Sequence, residues 1–170
     1  VFVPVVTLLA IGTFYYYWHF DNKPIEHGLK AINDESPIIA DISMVKAGIR
    51  YEDVLCTISE KKVFEVAKKE QVTRAVASIR ASKELIDGGI VVIGNAPTAL
   101  LEVIRLNKKE GITPKLVIGA PVGFVKAAES KELLRTTKIP SISTIGPKGG
   151  TPVAVSAING IIALSKNERI

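Results

Sequence analysis

Short apolar runs that end in glycine alternate along this chain with longer stretches whose apolar residues recur three and four positions apart. Three copies of one pattern stand in the second half: Ile90-Val-Val-Ile-Gly94-Asn-Ala-Pro97, Leu116-Val-Ile-Gly119-Ala-Pro121, and Ile142-Ser-Thr-Ile-Gly146-Pro-Lys-Gly-Gly-Thr-Pro152. A four-residue β-branched run stopped by glycine reads as a buried parallel strand. A proline soon afterwards suits the first turn of a helix, where its missing N–H is no loss. Repeated in this order, the pattern predicts one α/β domain over 1–170, with a mostly parallel sheet flanked by helices on both faces. The strand ends then share one rim, where helix N-termini offer N–H groups and partial positive charge to a ligand. The residues on that rim are Asn95, Thr98, Lys148, Gly149, Gly150 and Thr151.

The first half carries related elements. Residues 1–11 read as a strand and Gly12-Thr13 as its rim turn, after which an aromatic stretch leads to Asp21-Asn-Lys-Pro24. A helix is predicted over 25–33, with Ile25, Leu29 and Ile32 on one face. A short strand at 37–41 precedes a helix at 42–48, and a third strand spans 54–58. Ser59 reads as the N-cap of a helix over 61–70. Thr73 reads as the cap of another over 74–86, whose Val76, Ile79 and Leu85 suit packing on the sheet. Strands at 90–93, 116–118 and 141–145 alternate with helices at 97–109, 123–134 and 152–164. No linker, low-complexity tract or heptad run divides the chain.

Charge sharpens the ligand class. The chain has 170 residues, a formal net charge of +5 and 47% hydrophobic content. Its bases are interleaved with acids, as in Lys68-Lys-Glu and Glu129-Ser-Lys-Glu. Such interleaving marks solvated helix faces, not a stripe that tracks nucleic acid. A small or medium anionic ligand accounts better for the surplus. Cys56 is the only cysteine, which rules out an intrachain disulfide and fits a reducing cytoplasm. In Val54-Leu-Cys-Thr-Ile it reads as a small buried hydrophobe. His19 and His27 are the only histidines, and no cluster has metal-site spacing, so no metal is expected.

Val1 lies inside an apolar run, so the natural chain is expected to begin earlier. Residues 1–18 carry no charge and approach the length of a membrane span. Pro4, Thr7, Gly12 and Thr13, with rich β-branching, instead favour a core strand. No membrane association is expected.

Local chemistry is less specific. The dinucleotide and Walker fingerprints are both absent. Gly146-Pro-Lys-Gly-Gly-Thr151 has glycines that let backbone N–H groups approach an anion, with Lys148 adding charge. The same residues also fit an ordinary loop with a surface lysine. Arg74 opens a helix, where the dipole disfavours a cation. Its place there points to a carboxylate partner or ligand, or to plain solvation. Asp41 ends a strand and reads as a cap for the helix that follows, and Glu102 and Glu129 read as solvated or paired.

Five segments in order carry a resemblance. They are Asp41-Ile-Ser-Met44-Val-Lys-Ala-Gly48, Thr73-Arg74-Ala-Val-Ala, Ile93-Gly-Asn-Ala-Pro-Thr-Ala-Leu100, Gly119-Ala-Pro-Val-Gly-Phe-Val-Lys-Ala-Ala-Glu-Ser-Lys131 and Lys148-Gly-Gly-Thr-Pro-Val-Ala-Val-Ser-Ala-Ile-Asn159. Together they resemble the precorrin-8X methylmutase family, known in the anaerobic route as cobalt-precorrin-8 methylmutases, from about Gly12 to Leu164. The resemblance implies a homodimeric α/β isomerase of cobalamin biosynthesis that uses no added cofactor. It moves a methyl group from C11 to C12 of a carboxylated tetrapyrrole, giving hydrogenobyrinate or cobyrinate. It also implies a substrate-binding role for Arg74; with Thr73 beside it, the rim residues Asn95, Thr98, Lys148, Gly149 and Gly150 complete the expected binding set.

One motif departs from the family pattern at two positions. The family carries a histidine shortly before the glycine of its first strand, in a motif like H-A-T-G-D, and that histidine protonates the ring during migration. Here Leu9 falls on the histidine position and Thr13 on the aspartate position. A hydrocarbon side chain transfers no proton. His19 is the candidate substitute, provided that the aromatic segment folds back into the pocket. A relative that binds the tetrapyrrole without isomerising it is the alternative reading.

Overall fold

In the computed structural model of the chain, residues 18–166 are described. Six strands form one sheet: β1 (Trp18–Asp21), β2 (Ile38–Ala40), β3 (Val54–Leu55), β4 (Ile90–Ile93), β5 (Leu116–Gly119) and β6 (Ser141–Thr144). Eight helices intervene: α1 (Pro24–Asn33), α2 (Ser43–Gly48), α3 (Lys61–Lys69), α4 (Arg74–Ala81), α5 (Lys83–Ile86), α6 (Pro97–Glu110), α7 (Ala127–Arg135) and α8 (Thr151–Ser165). The strand order is β1-β6-β5-β4-β2-β3, parallel throughout except where β1 runs antiparallel to β6. The mostly parallel α/β sheet is the predicted fold class.

Residues buried on both faces explain why the central strands are continuous apolar runs. Along β4, Ile90 and Val92 join the layer built with α1, α2 and α8 through Ala31, Val45, Ile158 and Ile161. Val91 and Ile93 turn to the opposite layer, against Ile79 of α4, Leu100 and Ile104 of α6 and Leu134 of α7. All four β4 side chains are fully buried. Each such side chain contributes roughly 1.5–3 kcal/mol by leaving water.

Five local expectations differ. Trp18–Asp21, read from sequence as a connection, is an antiparallel edge strand whose Trp18 packs on the α8 side of the core. The third strand stops at Leu55 because Thr57 leaves the ladder to hydrogen-bond the hydroxyl of Ser78 at 2.8 Å. Glu60, not Ser59, sits at the N-cap of α3, and no side chain caps it. The predicted helix over 74–86 breaks at Ser82, whose buried hydroxyl faces Thr57, so Leu85 lies exposed on α5 instead of on the sheet. The predicted 123–134 helix begins only at Ala127, because Gly123 (φ 139°) and Lys126 (φ 62°) hold the preceding loop out of the right-handed region. The predicted strand at 1–11, the turn at Gly12-Thr13 and Leu9 lie outside the described residues.

Candidate active site

The carboxyl ends of β2, β4, β5 and β6 open onto one rim. Asp41, one residue past β2, organises it. Its Oδ1 accepts the Gly94 N–H at 3.1 Å, and its Oδ2 accepts those of Asn95 and Ala96, each at 2.8 Å. Asp41 therefore caps the turn after β4, not the helix after its own strand; α2 has no side-chain cap. Burial raises the Asp41 carboxyl above its ordinary value, and the three N–H bonds hold back part of that rise. The turn before α6 thus already holds an internal carboxylate. The amides of Gly94, Asn95 and Ala96 serve the fold and are not free for an anion.

Two elements place side chains beside this turn. The Thr73 hydroxyl caps α4 by accepting the Val76 N–H at 3.3 Å, as predicted, and meets the Thr98 hydroxyl at 3.2 Å. This contact sets Thr73 and Arg74 beside the Asn95–Thr98 turn. The Arg74 guanidinium lies over the Phe64 ring, 4.8 Å from its centroid. Among the described residues it has no carboxylate partner. A π-face supports the cation while leaving its donor edges usable.

Lys148, Gly149 and Gly150 approach from the β6 side. A Cβ on Gly149 would stand 2.3 Å from the Ala120 carbonyl oxygen and 2.7 Å from that of Pro121, so glycine is required for this approach. The Gly150 N–H donates to the Ala120 oxygen at 2.8 Å. A Cβ on Gly94 would stand 3.1 Å from Thr151 Cα, which shows how closely the start of α8 abuts the end of β4. Asn95 and Thr151 therefore flank a single seam. Lys148 and Asn95 are exposed on it, and Gly150 is buried.

His19 is placed differently. In β1 it pairs with Ser143, and its Nε2 lies 3.1 Å from Asp21 Oδ1 with the side chain 45% exposed. Cross-strand partners share a face, so His19 stands on the α7 side of the sheet edge. Cys56 is half-buried against the core. Glu102 is paired, between Arg80 at 2.8 Å and Arg105 at 2.8 Å, whereas Glu129 is exposed. Among the described residues, no group of His, Cys, Asp and Glu has the makings of a metal site. None of the described helices is long and apolar enough to cross a membrane. Two cavities of about 390 Å³ lie away from the rim. In the first, the charged lining groups are tied up in ion pairs.

Sequence reading missed Lys131. It is fully buried, and its Nζ donates to Lys148 O at 2.7 Å, Thr144 Oγ1 at 2.9 Å and Pro121 O at 3.2 Å. The signal was present: Lys131 falls with Ala127, Ser130 and Leu134 on the buried stripe of α7 at spacings of three and four. Arg135, one turn on, donates to Ser143 Oγ and Thr144 O.

The precorrin-8X methylmutase family model matches residues 6–164. The chain is 68% identical over 150 residues to the cobalt-precorrin-8 methylmutase of Methanocaldococcus jannaschii, covering 88% of this chain and 71% of that protein. It is 50% identical over 151 residues to the Methanothermobacter thermautotrophicus protein of the same name, covering 89% and 73%. A solved precorrin-8X methylmutase from Thermus thermophilus superimposes with a TM-score of 0.81 at 34% identity, over 91% of this chain and 79% of that one. A rim assembled from the family's five sequence segments, on the family's sheet, leaves one assignment: the chain belongs to the precorrin-8X methylmutase family.

Proposed function

We propose that this chain is an isomerase of cobalamin biosynthesis that binds a carboxylated precorrin-8-type tetrapyrrole on the rim and moves its methyl group from C11 to C12. The observation that carries the reading is the seam at which Gly94 meets Thr151. It joins the Thr73, Arg74, Asn95 and Thr98 cluster to the Lys148–Gly150 loop. A carboxylated macrocycle calls for this division of labour. Its peripheral acids meet Arg74 and Lys148, while Met44 at the start of α2 and Val122 and Phe124 on the loop after β5, all exposed, offer apolar surface to its ring. Thr73, Asn95 and Thr98 supply neutral hydrogen bonds. Migration within one molecule is redox-neutral and consumes no second substrate, and the reading adds no cofactor.

Leu9 on the family's histidine position sets the expected rate low, because ring protonation lacks its usual donor. His19, with Asp21 fixing its ring, is the candidate substitute. We also read the protein as a cytoplasmic homodimer. The 76% exposed Val125, next to the ring-facing Phe124, supports a second copy packing beside the site, and sedimentation checks it.

Incubation with precorrin-8X and with its cobalt form, followed in the visible spectrum, tests the function. Slow conversion to hydrogenobyrinate or cobyrinate is expected. Binding without conversion would make the chain a tetrapyrrole-binding relative, and neither binding nor conversion would refute the reading.

A further inference from the structure

A fully buried ammonium ion is costly unless its charge is answered, and buried lysines are ordinarily paired with a carboxylate. Lys131 breaks that rule. Its three partners are neutral oxygens, drawn from three separate pieces of the rim: the Pro121 turn after β5, Thr144 at the end of β6, and the Lys148 carbonyl in the loop before α8. Thr144 Oγ1 in turn donates to the same Lys148 oxygen at 2.7 Å. The charged residues on the surrounding elements do not supply the missing anion. Arg135 adds a like charge, Lys126 and Lys148 stand on the flanking loops, and the acids of the same helix, Glu129 and Glu132, are exposed.

We propose that Lys131 is a positioning residue of the tetrapyrrole site: its ammonium ties the Pro121 turn to the Lys148–Gly150 loop in the ligand-ready arrangement and directs an unanswered positive charge toward the ligand's carboxylates. The inference rests on the rim being the tetrapyrrole site. A charge under a low-dielectric wall acts on the rim more strongly than an exposed one, because little water screens it. The cost of burying it falls on the free protein and is relieved when an anion arrives.

The fold and the ligand then make opposite demands. Burial, reinforced by Arg135, lowers the Lys131 ammonium to about 8 from 10.5. Between those values the unfolded chain holds the proton more firmly than the folded one, so folding stability rises with pH across that window. Ligand affinity falls over the same range, because the charge that answers the carboxylates is lost. A purely structural lysine would move stability alone.

The test titrates hydrogenobyrinate into the full chain at pH 7 and pH 9.5, for the wild type and for Lys131→Gln, with thermal melts under the same conditions. The wild type is expected to lose about tenfold or more in affinity at the higher pH, in line with one charged hydrogen-bond network. Lys131→Gln should bind weakly at both values with the pH dependence gone, while its melting point at pH 7 is not reduced in proportion. Wild-type affinity that stays flat across the range overturns the inference, and that measurement needs no variant to fold. Tight, pH-dependent binding by Lys131→Gln overturns it as well. Failure of the wild type to bind at any pH instead refutes the rim as the tetrapyrrole site, and the inference with it.

Discussion

Asp41 and Asn95 are 54 positions apart in sequence, yet the carboxylate of one accepts the backbone N–H of the other at 2.8 Å. This bond, with those to Gly94 and Ala96, pins the end of β2 to the turn that carries two of the proposed binding residues. Removing the carboxylate would leave three amides without their acceptor. Asp41→Ala should therefore lower stability by about 3 kcal/mol or more, since each orphaned buried donor costs about 1–3 kcal/mol. Asp41→Asn, which keeps one acceptor oxygen, should cost less. Denaturant midpoints for the two variants check the order, and equal, small losses would refute it.

Arg74 is an exposed cation directly after Thr73, whose hydroxyl meets Thr98, and its lone described partner is the Phe64 ring. If it meets a substrate carboxylate, Arg74→Ala should weaken tetrapyrrole binding by about 1.5–3 kcal/mol. Arg74→Lys should recover only part of that, because a point charge does not reproduce the planar fork. An unchanged titration curve for Arg74→Ala would return the residue to the solvated surface.

The Lys148–Gly150 loop tolerates no side chain at Gly149, where a methyl would press on two carbonyl oxygens. Gly149→Ala should shift the loop at a cost of about 1–3 kcal/mol and weaken ligand binding along with it. Normal binding by a fully stable variant would show that the close approach is dispensable.

Glu102 sets a pH limit on the helical layer. Burial alone would raise its carboxyl, but hydrogen bonds and charge from Arg105 and Arg80 outweigh burial and hold it below the ordinary 4.5. A lowered folded-state value contributes stability above about 4.5 that is lost as pH falls through the folded value. Thermal melts from pH 7 to pH 3 should show this decline. Glu102→Gln should flatten it and cost about 1–3 kcal/mol at neutral pH, where the half-exposed arginines are partly solvated.

Leu9, on the family's histidine position, is proposed to limit the rate. A well-placed acid contributes about a hundred- to ten-thousand-fold, so Leu9→His should raise turnover well above a low wild-type value. His19→Ala reports whether His19 has taken over: a large loss of turnover with intact binding would say so. Full activity in the Leu9→Ala, His19→Ala double variant would remove both residues from the chemistry.

Much of this was legible from pattern alone, because strands buried on both faces show themselves as unbroken β-branched runs. Ile90–Ile93 is the clearest case, predicted and found at the same four residues. What escaped depended on pairing over long distances. Trp18–Asp21 alternates apolar and polar over four residues only, directly after the Tyr15-Tyr-Tyr cluster, and β6 supplies the edge that makes it a strand. Asp41 sits beside one helix and serves another, a choice made by tertiary geometry and not by its neighbours in sequence. Thr98 is legible as a rim residue and Thr73 as a helix cap, but their mutual contact spans two crossovers and nothing local encodes it. Lys131 was overlooked for a different reason: a lysine in a charged helix reads as solvated until its place on the buried stripe is noticed.

The borders of the described sheet carry a further meaning. At one end, β3 pairs through only two residues; at the other, β1 runs against its neighbours and bears His19 and Asp21. Neither offers a long, flat template for another copy to zip onto. Among the described residues, self-association by continuing the sheet is thereby discouraged, which leaves loops and helix faces for assembly. The protein can thus display apolar loops around its rim and still be steered away from open-ended fibres.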